Sequence, residues 1–364
     1  MKILVDAHIF DHSFQGTASY IRGLYIELVK YEDVEITLCG NNIEALKKNF
    51  VDPRFKFIEL KNASRLRRLA FEIPGIIRKY KFDYAHFQYL TPFVKGCRYI
   101  NTIHDLLFID FKEYFPWTYR ISRKILFHLS AVRSDILLTV SQHSKVEIHT
   151  KFNIPLNKIN VTPNAVNVYD GEYIDVKNKY KLRNYILYVS RFEPRKNHLA
   201  LLKAYLELHL HNKGYDLVFI GSKNEQIEYD AYQLLLTHIP NSIRKHVFFF
   251  EHISWNELHS FYHAAECFVF PSLAEGFGIP PIEAAVNNTK VVCSNQTAMS
   301  DFHFFPYLFN PKENLLPQIL TKALDDTQYP YQKIKETILK TYSWKTIADN
   351  FYTLLKDDYV RPSR

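Results

Sequence analysis

Cys267-Phe-Val-Phe-Pro-Ser-Leu-Ala-Glu275-Gly-Phe-Gly-Ile-Pro-Pro-Ile-Glu283-Ala-Ala285 is the stretch that decides the fold. Cys267–Phe270 is a short apolar run of strand type. Pro281 suits the first position of a helix, which puts Glu283 in its first turn. Strand, loop and helix thus follow one another as in a parallel α/β sheet. The chain has only 10 glycines in 364 residues, so Gly276 and Gly278 together need a backbone reason. They let the N–H groups of Gly276, Phe277, Gly278 and Ile279 approach a ligand just before a helix N-terminus. Glu275 and Glu283 flank that loop, and each carboxylate can accept from two neighbouring hydroxyls. The plainer reading gives Glu283 to the helix dipole and the glycines to a turn. The combination of all four favours a ligand loop.

Working outward, strands and helices alternate twice. The first series has strands at Ile3–Val5, Val34–Leu38, Phe55–Leu60, Tyr84–Phe87, Tyr99–Ile103, Ile136–Val140 and Ile159–Val161, with a helix over 17–31. The second has Ile186–Val189, Leu217–Ile220, Val247–Phe250, Cys267–Phe270 and Val291–Cys293. Ser254 and Glu257 make a capping box. Between the series, 163–184 is polar and aperiodic. The expected organisation is an N-terminal Rossmann-like domain (1–165), a linker (166–184) and a C-terminal Rossmann-like domain (185–342). An amphipathic helix from Ser343, within 343–364, is expected to pack back toward the first domain. The fold class is α/β, two Rossmann-like domains facing a central cleft. Ligands of such sheets sit beyond the carboxyl ends of the strands. No GxGxxG follows the first strand, so a dehydrogenase-type site is not indicated.

Length and composition agree with two domains. Net charge is +8 and the pI about 9.0, which suits an acidic partner such as phosphorylated small molecules or anionic lipid. Nucleic-acid binding has no motif to support it. Cys39, Cys97, Cys267 and Cys293 lie far apart, with no CxxC pair, and read as buried thiols in a reducing cytoplasm. Met1-Lys-Ile-Leu-Val-Asp6 is too short for a signal peptide, and no run approaches the roughly 20 apolar residues of a membrane span. The chain is therefore expected to be soluble or peripheral.

Three further places could carry chemistry. In Tyr188-Val-Ser190-Arg191-Phe-Glu-Pro-Arg195-Lys196-Asn197, basic side chains cluster where a strand gives way to a helix, a ready diphosphate site. Gly16-Thr17 opens the first helix and could bring backbone N–H groups to a phosphate. His104-Asp105 ends a strand and reads as a base, a hydrogen-bonding contact or a satisfied strand-end pair.

Together with Val140-Ser-Gln-His-Ser144 and Pro163-Asn-Ala-Val-Asn167, these pieces resemble the retaining glycosyltransferases of family 4, which have the GT-B fold. The resemblance covers nearly the whole chain, and the two glutamates separated by seven residues are its most specific part. It implies that Arg191 and Lys196 hold the donor diphosphate, helped by Gly16 and Thr17. It implies that Glu283 binds the ribose, and that Glu275 with the amides of Phe277 and Gly278 holds the transferred sugar. His104 would contact that sugar, and Ser190 and Glu251-His252-Ile253 would lie along the nucleotide. The chain departs from the family at Asn288-Thr-Lys290, Glu251, Ser190 and Met299-Ser-Asp301. These positions bear on the base pocket rather than on the sugar and phosphates.

The resemblance also implies retention of anomeric configuration, no cofactor and no metal. The leaving phosphate would accept the proton of the acceptor hydroxyl. Its nearest likeness is to bacterial surface-polysaccharide mannosyltransferases, which favours GDP-mannose over UDP- or dTDP-sugars. The acceptor would be a glycan or a polyprenyl-diphosphate-linked saccharide. Arg65, Arg67 and Arg68 lie in a basic, apolar segment (61–81) expected to face the acceptor or an anionic membrane on the inner side of the cell. The alternatives are a nucleotide-sugar epimerase of the same fold and a non-catalytic binding protein derived from a transferase.

Overall fold

The computed structural model describes residues 1–11 and 16–360. The part of the loop between Asp11 and Gly16 lies outside them. The chain forms two compact units, Met1–Ala165 with Tyr342–Arg364, and Val166–Thr341.

The first unit holds seven parallel strands: β1 (Lys2–Asp6), β2 (Glu35–Gly40), β3 (Lys56–Glu59), β4 (Tyr84–Gln88), β5 (Arg98–Thr102), β6 (Ile136–Thr139) and β7 (Ile159–Val161). Their order is β3-β2-β1-β4-β5-β6-β7. Val5 lies opposite Leu38 on one side and His86 on the other. The winding reverses between β1 and β4, so a crevice opens at their carboxyl ends. Most residues of the inner strands are apolar because helices cover both faces of a parallel sheet, while β4 and β5 also bury His86, Gln88, Asn101 and Thr102. Ile3, Val5, Ile36, Leu38, Ala85 and Ile100 are fully buried.

The helix Trp344–Tyr359 belongs to this first unit, and Ser343 caps it by accepting from the Thr346 N–H. Trp344 lies against Gly23 of the helix Gly16–Leu28, where a Cβ would fall 2.0 Å from its ring. Tyr352 stacks on Tyr31 at 3.8 Å. Arg98 pairs with Asp358 at 3.2 Å.

The second unit holds six parallel strands: β8 (Asn184–Val189), β9 (Tyr215–Ile220), β10 (Val247–Phe250), β11 (Cys267–Phe270), β12 (Val291–Ser294) and β13 (Tyr307–Phe309). Their order is β10-β9-β8-β11-β12-β13, with the reversal between β8 and β11. The edge strand β13 has three residues, too few to show a periodicity in sequence. Ser254 and Glu257 form the expected capping box on the helix Trp255–Ala264. The aperiodic stretch 166–184 is fastened to that same helix. The Ile174 N–H donates to Ser260, and Lys179 and Tyr180 both reach Glu257.

No helix among the described residues is long and apolar enough to cross a membrane. The four cysteines are free.

Candidate functional site

In the second unit, the loops that follow β8 and β11 meet where the strand order reverses. They are tied through the backbone: the Leu273 N–H donates to the Arg195 carbonyl at 2.8 Å. Asn197 donates to the Pro271 carbonyl at 3.3 Å. Tyr188, at the end of β8, donates its hydroxyl to the Lys196 carbonyl at 2.6 Å.

This frame brings Lys196 and Glu275 together, although 79 residues separate them. Lys196 Nζ lies 2.6 Å from Glu275 Oε1, Arg195 donates to Oε2 at 3.2 Å, and the Ser272 hydroxyl donates to Oε1 at 2.7 Å. Burial opposes the charge on Glu275, but Lys196, Arg195 and these hydrogen bonds outweigh it and hold the carboxyl down at about 2. Burial and the like charge of Arg195 pull Lys196 below the usual lysine range, against the pull of Glu275. The result is a buried ion pair whose ammonium has three donors, with one directed at Glu275.

Arg191 stands on the same β8 loop with 45% of its side chain exposed. It is aimed by Glu193 and, at 3.0 Å, by the buried Glu228 of the helix Gln226–Thr237. Glu228 is itself held by the N–H groups of Asn224 and Glu225. Gly221 follows β9 and lies so close to the carbonyl of Ser190 that a Cβ would fall 1.8 Å from it.

Gly278 has φ +98° and caps the helix Ile279–Val286, a conformation that L side chains disfavour. Phe277 packs its ring against Phe302 at 5.6 Å. The helix begins at Ile279 rather than at the expected Pro281, so Glu283 falls in its second turn and not the first; it is half-buried and accepts from the Tyr262 hydroxyl at 2.9 Å. Burial pushes its carboxyl up to about 7, and the Tyr262 bond offsets only part of this. Glu251, His252 and Ile253 follow β10 at the same edge of the sheet, two strands from β8. Glu251 pairs with Lys223, and His252 has φ +52°.

In the first unit, Gly16 and Thr17 open the helix Gly16–Leu28. Among the described residues, Gly16 has open space where a Cβ would sit. His104 follows β5, is 6% exposed and makes a 2.6 Å contact from Nε2 to Gln88 Oε1. Burial pulls it down to about 3, as it does His86. Both rings are therefore neutral. With Gln88 donating to His86 and accepting from His104, the proton of His104 resides on Nε2. Nδ1 is left as the acceptor. A neutral His104 can accept a hydroxyl but is no acid at neutral pH.

Among the arginines of the segment 61–81, the structure corrects the expectation for Arg68. It is 4% exposed and so does not face a membrane directly. A π-helical turn, Arg68–Glu72, interrupts the helix there. Arg68 is the first residue of that turn and lies 4.0 Å from Asp6. Arg65 is half-buried and Arg67 exposed.

Sequence reasoning did not single out Arg195, Glu193, Glu228, Gln88 or Tyr262. Arg195 had a signal, as the basic neighbour of Lys196. Glu193 lies between its partners Arg191 and Arg195, while Glu228, Gln88 and Tyr262 act on partners distant in sequence and had no signal.

Two family profiles tile most of the chain: Glycosyltransferase Family 4 over residues 14–169 and Glycosyl transferases group 1 over residues 170–302. O-antigen chain mannosyltransferase B of Escherichia coli is 32% identical over 214 residues, 56% of this chain and 55% of that one. O-antigen chain mannosyltransferase RfbU of Salmonella typhimurium is 32% identical over 196 residues, 53% and 51% respectively. The chain thus spans about half the length of these relatives. Sucrose-phosphate synthase from Thermosynechococcus elongatus superposes with a TM-score of 0.79 at 17% identity, covering 98% of both chains. Anabaena HepE, solved in complex with UDP and glucose, gives 0.74 at 15%, covering 98% of this chain and 100% of that one. Two doubly wound parallel sheets, the matching superpositions and the two profiles lead to one conclusion: the chain belongs to the family 4, group 1 glycosyltransferases and has the GT-B fold.

Proposed function

We propose that this glycosyltransferase moves a hexose, with retention of configuration, from a nucleotide sugar to a saccharide acceptor. The second unit is the donor unit and the first the acceptor unit. The observation that carries the reading is the buried Lys196–Glu275 pair, with Arg195 beside it and Arg191 half-exposed on the same loop. Three cations and a carboxylate beyond the carboxyl ends of β8 and β11 suit a diphosphate joined to a sugar.

In this mechanism Arg191 and Lys196 hold the diphosphate. As the bond from the anomeric carbon to the phosphate oxygen breaks, negative charge grows on that oxygen. Fixed cations stabilise it, an effect worth roughly 10²–10³ in rate for one such group. The acceptor oxygen bonds to the anomeric carbon on the face the phosphate leaves, and its proton passes to the departing phosphate. Glu275 and the amides of Phe277 and Gly278 hold the sugar hydroxyls. Glu283 holds the ribose, and Ser190 and Glu251-His252-Ile253 line the nucleotide. Gly16 and Thr17 approach the phosphates, while the acceptor nitrogen of His104 receives a sugar hydroxyl. The side-chain cations supply the charge, so transfer runs without a divalent metal.

The donor is GDP-mannose. The named mannosyltransferases support this, since each is about a third identical to the aligned part of this chain. The acceptor is a glycan or a lipid-linked saccharide of a surface polysaccharide, met at the inner face of the cell membrane.

A calorimetric screen of UDP, GDP, dTDP and ADP, then of their sugars, tests the donor. GDP and GDP-mannose are expected to bind most tightly, and binding of none would end the donor reading. Product NMR gives the anomeric configuration, and unchanged turnover in EDTA is expected. Consumption of donor without any acceptor would point to an epimerase instead.

A further inference from the structure

Two loops at the carboxyl edge of the second sheet carry a pair of charges that the diphosphate and sugar contacts do not use. Lys223 follows β9 and Glu251 follows β10, and their side chains pair with each other. Both stay accessible, with 25% and 24% of the side chain exposed. An accessible ion pair adds little to stability.

The pair is nevertheless held in place. The Gly221 N–H donates to the Phe250 carbonyl at 3.0 Å, which ties the end of β9 to the end of β10. The Phe192 N–H donates to the Ser222 carbonyl at 3.1 Å, which ties the Lys223 loop to the loop of Arg191. Lys223 Nζ lies 4.1 Å from the ring centre of Tyr232, a cation–π contact that steadies the ammonium. Two strand spacings, about 10 Å, separate β10 from β8 and its Arg191. A nucleoside covers such a span between its phosphates and the outer edge of its base.

The carboxylates of this edge differ in what they leave open. Glu275 engages both oxygens, with Lys196 and Ser272 on one and Arg195 on the other. Glu228 does the same with Arg191 and the Asn224 N–H. Glu251 meets Lys223 through Oε1, and among the described residues its Oε2 has no partner. Ammonium, engaged oxygen and open oxygen thus present a donor followed by two acceptors. Among the common bases, that order complements guanine alone. The outer edge of guanine runs from the acceptor O6 to the donor N1–H to the donor 2-amino group. Uracil and thymine end in a second acceptor, which would face the open oxygen of Glu251. Adenine sets a donor against Lys223 and an acceptor against the carboxylate.

We infer that Glu251 and Lys223 read the base of the donor and select guanine. The carboxylate accepts from N1–H and the 2-amino group, and the ammonium donates to O6. The inference rests on the proposed donor role of the second unit and names the residues that choose its nucleotide.

The test is calorimetry of the full chain with GDP, IDP, UDP and dTDP. IDP is GDP without the 2-amino group. The wild type should bind GDP about tenfold to a hundredfold tighter than IDP, the worth of one hydrogen bond to a charged group. Glu251→Gln turns one acceptor into a donor. It should bring GDP and IDP to within about threefold of each other and raise UDP relative to GDP at least about tenfold, because a carboxamide matches the N–H and second carbonyl of uracil. A misfolded variant would lose every ligand and could not cross over in this way. Lys223→Met removes the contact to O6, which GDP and IDP share, so it should weaken both about tenfold and leave their ratio unchanged. Equal binding of GDP and IDP by the wild type would overturn the inference, and so would a GDP-to-IDP preference that Glu251→Gln leaves intact. In both cases the donor reading stands on the diphosphate contacts. Tightest binding of UDP or dTDP by the wild type would overturn the inference and move the donor reading to that nucleotide. Binding of none of the four would strike the donor reading itself and this inference with it.

Discussion

The two sheets are wound alike, yet their carboxyl edges are built from opposite materials. In the first unit the side chains around the ends of β4 and β5 include a neutral chain: Tyr25, His86, Gln88, Thr102 and His104 pass hydrogen bonds from one to the next. In the second, the groups beyond β8 and β11 are ionic: Arg191, Glu193, Arg195, Lys196, Glu228 and Glu275 pair with each other. Burial penalises charge in both places. Without a counter-charge the histidines give up their proton at about 3. With two cations beside it, Glu275 keeps its charge down to about 2. The same winding thus gathers a neutral hydrogen-bonded chain in one unit and a cluster of ion pairs in the other.

The sharpest way to break this contrast is Lys196→Ala. It leaves Glu275 buried without its main partner, which should cost about 3–5 kcal/mol in denaturant unfolding and roughly 10²–10³ in transfer rate. The double variant Lys196→Ala/Glu275→Ala should regain most of the stability and none of the activity. If the single variant transfers sugar normally at saturating donor, the ionic edge is only structural.

Next in size is the attempt to make the neutral edge ionic. Gln88→Glu places a carboxylate against His104 and should raise its pKa by about 1–3 units, read by NMR of the ring. Gln88→Leu instead leaves the Nε2–H group unpaired, at about 1–3 kcal/mol. A His104 that titrates as before in Gln88→Glu would mean that Gln88 does not set its tautomer.

These two edges differ in how much the sequence discloses. The ionic one was half legible: Glu275, Glu283, Arg191 and Lys196 stand at strand-to-helix turns, where a ligand loop is expected. The neutral one was visible only as His104, because Gln88 and His86 alternate along an ordinary strand. Arg68 went astray for a related reason. It faces Asp6 of β1, a partner of which its own segment gives no sign.

Gly278→Ala sharpens the comparison at the backbone. A side chain at φ +98° should cost about 1–2 kcal/mol, and the nearby Phe302 and Met299 leave little slack. Unchanged melting would show that the loop is not held in that conformation.

The smallest effect concerns the two glutamates. Glu283 is raised to about 7 from an ordinary 4.5, so the folded state holds its proton more tightly. Its contribution is full below about 4.5 and lost as pH rises through 7. Glu275 is lowered to about 2, so its contribution is present above 4.5 and lost as pH falls toward 2. Glu283→Gln has no proton to lose. Its melting temperature should gain on the wild type between pH 5 and 8 by a few degrees, consistent with about 1 kcal/mol. Parallel curves would place Glu283 in a more solvated setting than its contacts indicate.

The sequence by itself determined the kind of elements and the edge of the sheet where chemistry belongs, since periodicity, glycine and proline act over a few neighbouring residues. Only the tertiary structure decided the partners. That Lys196 meets Glu275 across 79 positions, that Glu228 aims Arg191 and that Gln88 sets the tautomer of His104 all depend on which strands lie side by side. So does the charge each group carries, because burial and neighbouring charge are properties of the packed sheet.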